Sequence, residues 1–282
     1  MNARCGLAAA ILLLTAAAGA EEPPRYRADL NVGADSFSRN YTYSGFAHLR
    51  EGVEGSAGLV LSARVRPGLA LLAGGELQSP LQHVEGRALL GAYWAALPTL
   101  VLNGSVAYAP ERRVIARWDL QAGAELQVLP WLALLASVRH LDFPSDDLSG
   151  IESGHDAVTA GSGALRLGPV RRFSLQLGGG LSHHTGTFLK SGAPTGLADT
   201  GFFASKLFYE LSEDLSFAAG FSTGAESRRP FLPELTSTIT ALTLGARYAF
   251  DERWAARLEF VHESFEEEYL RNGASLGLTT RF

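Results

Sequence analysis

The last nine residues constrain the fold of this chain more than any other segment. They read ASLGLTTRF, from Ala274 to Phe282. Alternate side chains of a strand point to opposite faces, so one face of this segment is apolar and the other is polar. A strand that ends on an aromatic residue is unusual in a soluble domain, because free chain ends fray in water. It is typical of a closed outer-membrane barrel, whose last strand pairs with its first.

The opposite end of the chain predicts export. Arg4 precedes an apolar run over residues 6–15, and Ala18-Gly19-Ala20 provides a small-residue cleavage site. This order is typical of a secretory signal peptide, and the run is too short for a membrane helix. We therefore expect residues 1–20 to be a cleaved signal peptide and residues 21–282 to be a single domain. The only cysteine, Cys5, would leave with the signal peptide.

Alternating apolar and polar residues recur throughout the rest of the chain. In the segment 118–128, Trp118, Leu120 and Leu126 share one face, while Asp119 and Glu125 lie on the other. The pattern alone fits either a soluble β-sandwich or a membrane barrel. The export segment and the terminal aromatic favour the barrel. We predict an all-β fold, a transmembrane antiparallel up-and-down β-barrel of the outer-membrane type with about 14 strands, within a range of about 12 to 16.

Tight turns alternate with longer polar connections along the chain. Short turns occur near Pro67, Pro98, Pro130 and at 167–172, 211–214 and 250–253, and longer segments separate them. Outer-membrane barrels have short periplasmic turns and longer extracellular loops, so both chain ends are predicted to be periplasmic. Aromatic residues beside the tight turns are expected to form a girdle at the periplasmic boundary. They are Trp94, Trp131, Tyr209, Tyr248, Phe250 and Trp254.

Composition and charge argue against several classes of function. The net charge is −5, and no basic stripe is present, so we expect no nucleic-acid partner. His183 and His184 are adjacent and would point to opposite faces of a strand, so they cannot chelate one metal. We predict neither a metal site nor a cofactor.

One internal segment and the last hairpin resemble a known family. The segment 118–143 closes on Arg139, His140, Leu141, Asp142 and Phe143, and the chain ends on Phe282. These features resemble the YaiO-type outer-membrane barrel family over residues 26–282. The resemblance implies an outer-membrane location in a Gram-negative bacterium and no defined catalysis, and some members look associated with surface-polysaccharide systems. Expected partners are outer-membrane lipid, the barrel-assembly machinery acting on the C-terminal strand, and a polysaccharide or small solute.

Charged residues on the polar faces of the predicted strands should line the interior of the barrel. Both signs occur, which leaves two readings open. The charges could form ion pairs that fill the interior, or they could line a narrow conduit or a site for a charged solute or glycan. The predicted lumen-facing residues are Arg64, Glu76, Arg87, Arg117, Asp119, Glu125, Arg139, Lys206, Glu210, Arg247, Arg257 and Glu259.

An alternative function, lipid hydrolysis, depends on one exterior cluster. His262 and Ser264 share a lipid-facing side of the next-to-last strand, and residues whose numbers sum to about 534 should pair, which places Asn272 near His262. In nucleophilic catalysis by serine, a histidine acts as the base and a polar residue orients the histidine. The local triplet is similar to that of outer-membrane phospholipase A and lipid A deacylase barrels. Those barrels have asparagine after the serine, however, whereas this chain has Phe265, followed by acidic residues at 266–268.

Overall fold

In the computed structural model, the described residues form fifteen β-strands. Those residues are 25–39, 52–79, 84–110, 116–143, 156–187, 194–196, 200–227, 236–265 and 269–282. Within them no helix is long and apolar enough to cross a membrane. The predicted signal peptide at 1–20 lies outside the described residues. The strands are β1 (Tyr26–Arg39), β2 (Gly52–Arg66), β3 (Leu69–Gln78), β4 (Glu85–Leu97), β5 (Leu100–Tyr108), β6 (Trp118–Leu129), β7 (Leu132–Phe143), β8 (Asp156–Val170), β9 (Phe173–Thr187), β10 (Pro194–Gly196), β11 (Thr200–Glu210), β12 (Leu215–Ser227), β13 (Thr236–Ala249), β14 (Trp254–Phe265) and β15 (Tyr269–Arg281).

Fourteen of these strands close into one antiparallel barrel. Each long strand pairs with its neighbours in the sheet, and β15 pairs with β1 to complete the ring. The short strand β10 pairs only with the end of β9. At the seam, the amide of Phe282 donates to the carbonyl of Tyr26 at 2.9 Å, and the reverse bond measures 3.2 Å. The predicted barrel is confirmed, and the soluble sandwich is wrong because one closed sheet replaces two stacked ones.

The described tight turns lie at the same end of the barrel as Tyr26 and Phe282. At the β2–β3 turn, Gly68 has a φ of 75°, and a Cβ there would come within 2.9 Å of the Ala95 carbonyl oxygen. At the β13–β14 turn, the Asp251 carboxylate accepts hydrogen bonds from the amides of Arg253 and Trp254, both at 2.7 Å. Glycine and aspartate therefore supply the local chemistry that such short reversals need.

The exterior of the barrel is apolar around its circumference. Large hydrophobic side chains on outward positions are exposed, for example Leu90 and Leu244, both at 61%. A contiguous apolar surface of this extent is unstable in water but matches the hydrocarbon interior of a bilayer. The outer face is therefore built for contact with lipid.

Aromatic residues mark one boundary of this apolar surface. Trp94, Trp131 and Trp254 are exposed beside the tight turns. Two aromatic pairs lie in the same belt of residues. The ring centroids of Phe173 and Tyr209 are 4.7 Å apart in a stacked arrangement, and those of Tyr248 and Phe250 are 5.1 Å apart in an edge-on arrangement. Amphipathic rings in such positions anchor a barrel at the level of the lipid headgroups.

Candidate functional site

The candidate site is the inner wall of the barrel, defined by the alternation of the strands and their pairing register. Acidic and basic side chains on this wall are nearly equal in number within the described residues. They are Arg27, Asp29, Asp35, Glu54, Arg64, Glu76, Glu85, Arg87, Asp119, Glu125, Arg139, Arg166, Lys206, Arg247, Arg257, Glu259, Glu263, Arg271 and Arg281.

Four of these residues form a continuous charge chain over strands β3 to β7. Arg87 donates to the Glu76 carboxylate from Nε at 2.9 Å and from Nη2 at 2.5 Å, and its Nη1 lies 3.3 Å from Asp119. Arg139 binds the same Asp119 through two parallel hydrogen bonds of 2.9 and 2.7 Å. Bidentate contacts of this kind hold a guanidinium in one orientation. We call Glu76, Arg87, Asp119 and Arg139 the charge chain.

The charge chain crosses strand β5 because that strand carries only methyl groups at the crossing. Ala107 pairs in register with Asp119, and Ala109 is the next inward residue of the segment. Both are buried, at 4% and 0% exposure. A larger side chain at either position would occupy the space through which Arg87 reaches Asp119. The small residues in and just after β5 therefore allow ion pairing between strands that are not neighbours.

A second ion pair repeats this construction nearer the tight turns. Glu125 on β6 and Arg166 on β8 form a salt bridge over β7, and both are buried. The residue of β7 that pairs with Arg166 is Ala133, which is only 1% exposed. Again an alanine lies under a charge pair that joins two strands across a third.

A third cluster lies close to the β1–β15 seam. The Arg271 guanidinium donates to both carboxylate oxygens of Asp35 at 3.1 Å, and it also lies 3.7 Å from Glu263 on β14. Gly273 is the register partner of Asp35, and a Cβ there would collide with the Asp35 carboxylate. Glycine thus lets the aspartate lie flat along the wall.

Lys206 on β11 is a further basic residue of the inner wall, outside these three clusters. Its ammonium nitrogen lies 5.3 Å from the centroid of the Phe208 ring, which is a cation–π contact. Lys206 also interacts electrostatically with Glu259 and Arg257 on β14. Its Cγ would lie 3.8 Å from a Cβ at Gly220, the paired residue of β12.

The described ion pairs run along the wall and not across the barrel. They join residues on the same strand, on adjacent strands, or on two strands separated by one other strand. Fourteen strands about 4.8 Å apart, tilted by about 40°, form a backbone cylinder about 28 Å wide. Ion pairs between near neighbours therefore cover the wall without spanning that width.

Two predicted lumen residues lie away from these clusters. Arg117 directly precedes β6, is exposed, and has its guanidinium 5.9 Å from the ring centroid of Tyr108. That ring packs on Trp118 at 4.5 Å on the exterior side. Glu210 is the last residue of β11 and is exposed at the rim. Arg64 and Arg247 take inward positions on β2 and β13, and each has an interaction partner.

Sequence reasoning missed several inward charges that the structure brings into these clusters. The same alternation could have found most of them: Arg166 lies between outward Leu165 and Leu167, and Glu263 lies between His262 and Ser264. The missed residues that take part in described ion pairs are Arg27, Asp29, Asp35, Arg166, Glu263 and Arg271.

The family-like motif on β7 is divided between the two faces of the wall. Arg139 and Leu141 face inward, whereas His140 and Asp142 face outward. His140 Nδ1 lies 2.9 Å from the hydroxyl oxygen of Thr159 on β8. The side chain of Phe143 lies outside the described part. The terminal Phe282 is 68% exposed beside the seam.

The exterior cluster brings together two of its three proposed catalytic residues. His262 and Asn272 are register partners, and His262 Nδ1 lies 2.8 Å from Asn272 Oδ1. Ser264 lies two residues along the same outward face, and the described residues give no hydrogen bond between it and His262. The side chain of Phe265 and residues 266–268 fall outside the description. No group of three metal-ligating side chains occurs within the described ranges.

No protein-family model and no curated protein sequence matches the chain. Several solved structures match it in fold. The Pseudomonas putida toluene transporter TodX has a TM-score of 0.61 at 12% identity, covering 92% of this chain and 90% of that chain. The CymD monoaromatic hydrocarbon channel gives 0.63 at 12% identity, with 92% and 89% covered. A bacterial polysaccharide outer membrane secretin gives 0.54 at 13% identity, with 90% and 98% covered. These similarities establish an outer-membrane type of barrel fold.

Proposed function

We propose that the protein is a non-enzymatic conduit of the outer membrane that passes small polar solutes. The observation that carries this proposal is the direction of the described ion pairs, which join near neighbours along the inner wall. The solved structures of similar fold include proteins described as channels and transporters, which supports the same reading. The alternative, an interior filled by its own side chains, would need contacts between opposite walls.

The chemistry of the inner wall indicates what kind of solute would pass. Acidic and basic groups are nearly balanced and mostly paired, so the wall offers little net field to select ions of one sign. The inner wall also carries apolar residues such as Leu72, Val101 and Leu135, but its paired charges, serines and glycines offer little matching surface to monoaromatic hydrocarbons of the kind named for CymD. Neutral hydroxylated solutes fit this wall better, because they exchange hydrogen bonds with such groups as they pass.

The proposed location and orientation of the protein are supported by the residues on the outer surface of the barrel. The apolar exterior supports insertion in a bilayer, and the aromatic residues beside the tight turns support a periplasmic position for that end. Tyr26, which begins the first strand, and Phe282, which ends the chain, would then be periplasmic, and the last strand would be available to the barrel-assembly machinery. Membership of the YaiO-type family and association with a surface polysaccharide remain part of this proposal.

A solute-swelling assay on proteoliposomes tests the conduit. Vesicles containing the refolded barrel are diluted into isotonic solutions of a neutral sugar, an organic anion or an organic cation of similar size. The proposal predicts swelling in all three, at rates that differ little with the sign of charge. Vesicles that behave as empty ones, although the barrel migrates as a folded species on unheated gels, would contradict it.

A second candidate function, hydrolysis of membrane lipid, is favoured by the hydrogen bond between His262 and Asn272. That contact orients an imidazole on the lipid-facing surface, two residues from the Ser264 hydroxyl. The test compares release of fatty acid from phospholipid vesicles by the wild type and by Ser264→Ala. Release that depends on Ser264 would establish the activity, and equal release by both proteins would remove this candidate.

A further inference from the structure

Three basic side chains lie close together on the inner wall over strands β11 to β14. Arg247 on β13 and Arg257 on β14 are register partners, so two like charges lie directly opposite each other. Lys206 on β11 is near enough to Arg257 and to Glu259 to interact with both electrostatically. Like charges in opposed positions destabilise a sheet, so a further negative charge at this place would stabilise the wall.

The acidic residues nearby compensate this charge only in part. Glu259, the register partner of Gly245, is the buried carboxylate of the group. Glu210 lies in the same row as the two arginines but is exposed at the rim, as are the acidic residues of the adjoining tight turns at 213–214 and 251–252. Exposed charges are screened by water and salt. Positive charge therefore predominates locally, although the inner wall as a whole is nearly balanced.

Two of the three basic side chains differ from the arginines of the ion-pair clusters. Arg87 and Arg166 are each held by a carboxylate. Within the described residues, neither Lys206 nor Arg257 makes a hydrogen bond or an ion pair. Arg247 has an interaction partner and is exposed, and a guanidinium with five N–H donors can make a further contact. Donors on all three side chains are therefore available to a ligand.

The strands between Lys206 and Glu259 form a hollow. One row of register partners runs from Phe208 on β11 through Ala218 and Gly245 to Glu259 on β14. A Cβ built on Gly245 would meet only the Leu258 carbonyl oxygen at 3.6 Å and the Ala218 Cβ at 3.9 Å. The floor therefore consists of one methyl group and one hydrogen atom, across three strand spacings or about 14 Å. We call this place, with its floor of Ala218 and Gly245, the basic hollow.

We propose that the basic hollow binds the phosphate group of a solute inside the barrel, with Lys206, Arg247 and Arg257 as the donors. A phosphate monoester carries up to about two negative charges and three acceptor oxygens, which match two guanidinium groups and one ammonium group. The inference goes beyond the proposed conduit and depends on it only for entry of the solute.

Other solutes match this group of residues less well. A carboxylate carries one negative charge and two oxygens, fewer than the donors that surround the hollow. A neutral sugar brings no charge, so the opposed arginines would stay uncompensated. The number and the sign of the charges therefore favour a phosphate.

Phosphorus NMR of glucose 6-phosphate, mixed with the refolded barrel in a non-ionic detergent, tests the site. Exchange between free and bound ligand should broaden the phosphorus resonance. An excess of inorganic phosphate should remove the broadening, because it competes for the same donors. An excess of glucose should leave the broadening unchanged, because the phosphate is the group that is recognised.

Three variants locate the binding. Arg257→Gln should lower the affinity for glucose 6-phosphate at least about tenfold, because a charge-assisted contact is lost. Gly245→Leu keeps every charge but fills the floor of the hollow, so it should also weaken binding. Arg253→Gln is the matched control, because it removes an exposed positive charge from the neighbouring tight turn and should leave the affinity within about twofold. Heat-dependent gel migration checks that each variant is folded.

The outcomes separate this site from the conduit. Broadening that persists in both Arg257→Gln and Gly245→Leu, or that glucose removes and inorganic phosphate does not, overturns the site. An equal loss of affinity in Arg253→Gln would assign the effect to the general charge of the barrel and would also overturn it. A barrel that conducts but does not broaden the resonance overturns the site and leaves the conduit standing. A folded barrel that broadens the resonance without conducting supports the site and overturns the conduit.

Discussion

Small residues determine how the large ones are arranged in this barrel. Ala107 and Ala133 lie beneath ion pairs that join strands across β5 and β7, and Gly180 lies beneath the ring of Phe202. In each case a methyl group or a hydrogen atom, in place of a larger side chain, lets a neighbouring side chain lie along the wall. Glycine and alanine at these inward positions therefore have a structural role, since larger residues there would displace the neighbouring side chains from the wall.

The turn glycine Gly68 allows the first residue-scale prediction. Gly68→Ala places a methyl group at a φ of 75° and within 2.9 Å of the Ala95 carbonyl oxygen. We expect the free energy of unfolding in lipid vesicles to fall by about 1–2 kcal/mol, the cost of a left-handed conformation in a non-glycine residue. Urea titration followed by tryptophan fluorescence measures it.

Gly161 is the matched control for this substitution. It is an exposed outward glycine of β8, and no atom lies within 4 Å of a Cβ built on it. Gly161→Ala should therefore leave the urea midpoint unchanged or raise it slightly, since alanine restricts the unfolded chain. Equal destabilisation by the two substitutions would contradict the turn-specific explanation.

The charge chain allows a second residue-scale prediction. Arg87→Gln leaves Glu76 and Asp119 with one shared cation fewer, so the inner wall gains negative charge. In a salt gradient the reversal potential should move toward the equilibrium potential of the cation, because the pore becomes more selective for cations. The shift should be larger near 0.1 M than near 1 M salt, because the screening length falls from about 10 Å to about 3 Å.

A charge-restoring variant checks that interpretation. Adding Glu76→Gln to Arg87→Gln removes one charge of each sign and should return the reversal potential toward that of the wild type. If the reversal potential of the double variant stays shifted, the shift was caused by a rearrangement of the wall and not by the change in charge balance.

At the scale of elements, the seam between β1 and β15 holds the barrel closed. The two strands pair from Arg27 and Arg281 to Arg39 and Tyr269 without a register shift. Alternation along β15 predicted which side chains face inward. The pairing of His262 with Asn272 also follows the expected sum of residue numbers, because tight pairing leaves no bulge in that hairpin.

A disulfide across the seam tests this register. A Cβ on Gly33 would lie 3.3 Å from the Cβ of Ser275, close to the separation in natural disulfides. Gly33→Cys combined with Ser275→Cys should oxidise to a bond that keeps the barrel compact on heated gels until reductant is added. Gly33→Cys with Leu276→Cys should not cross-link, because a one-residue slip moves the side chain to the other face. Cross-linking of the second pair would contradict the register.

At the scale of the whole molecule, alternation and turn spacing carried most of the fold prediction. They predicted a barrel of about 14 strands because lipid outside and polar groups inside impose a period of two on every strand. They could not predict which charges meet, since Arg87 reaches Asp119 across β5 and this depends on the size of Ala107. The position of the Phe202 ring depends on Gly180 and Gly224, which only the three-dimensional register places on either side of it.

The most direct test of the account is a planar-bilayer recording from the refolded barrel. The account predicts discrete conductance steps and a reversal potential near zero in a salt gradient, because the proposed conduit has an inner wall that is nearly balanced in charge. A barrel that is folded by heat-dependent gel migration, yet produces no steps, would contradict it.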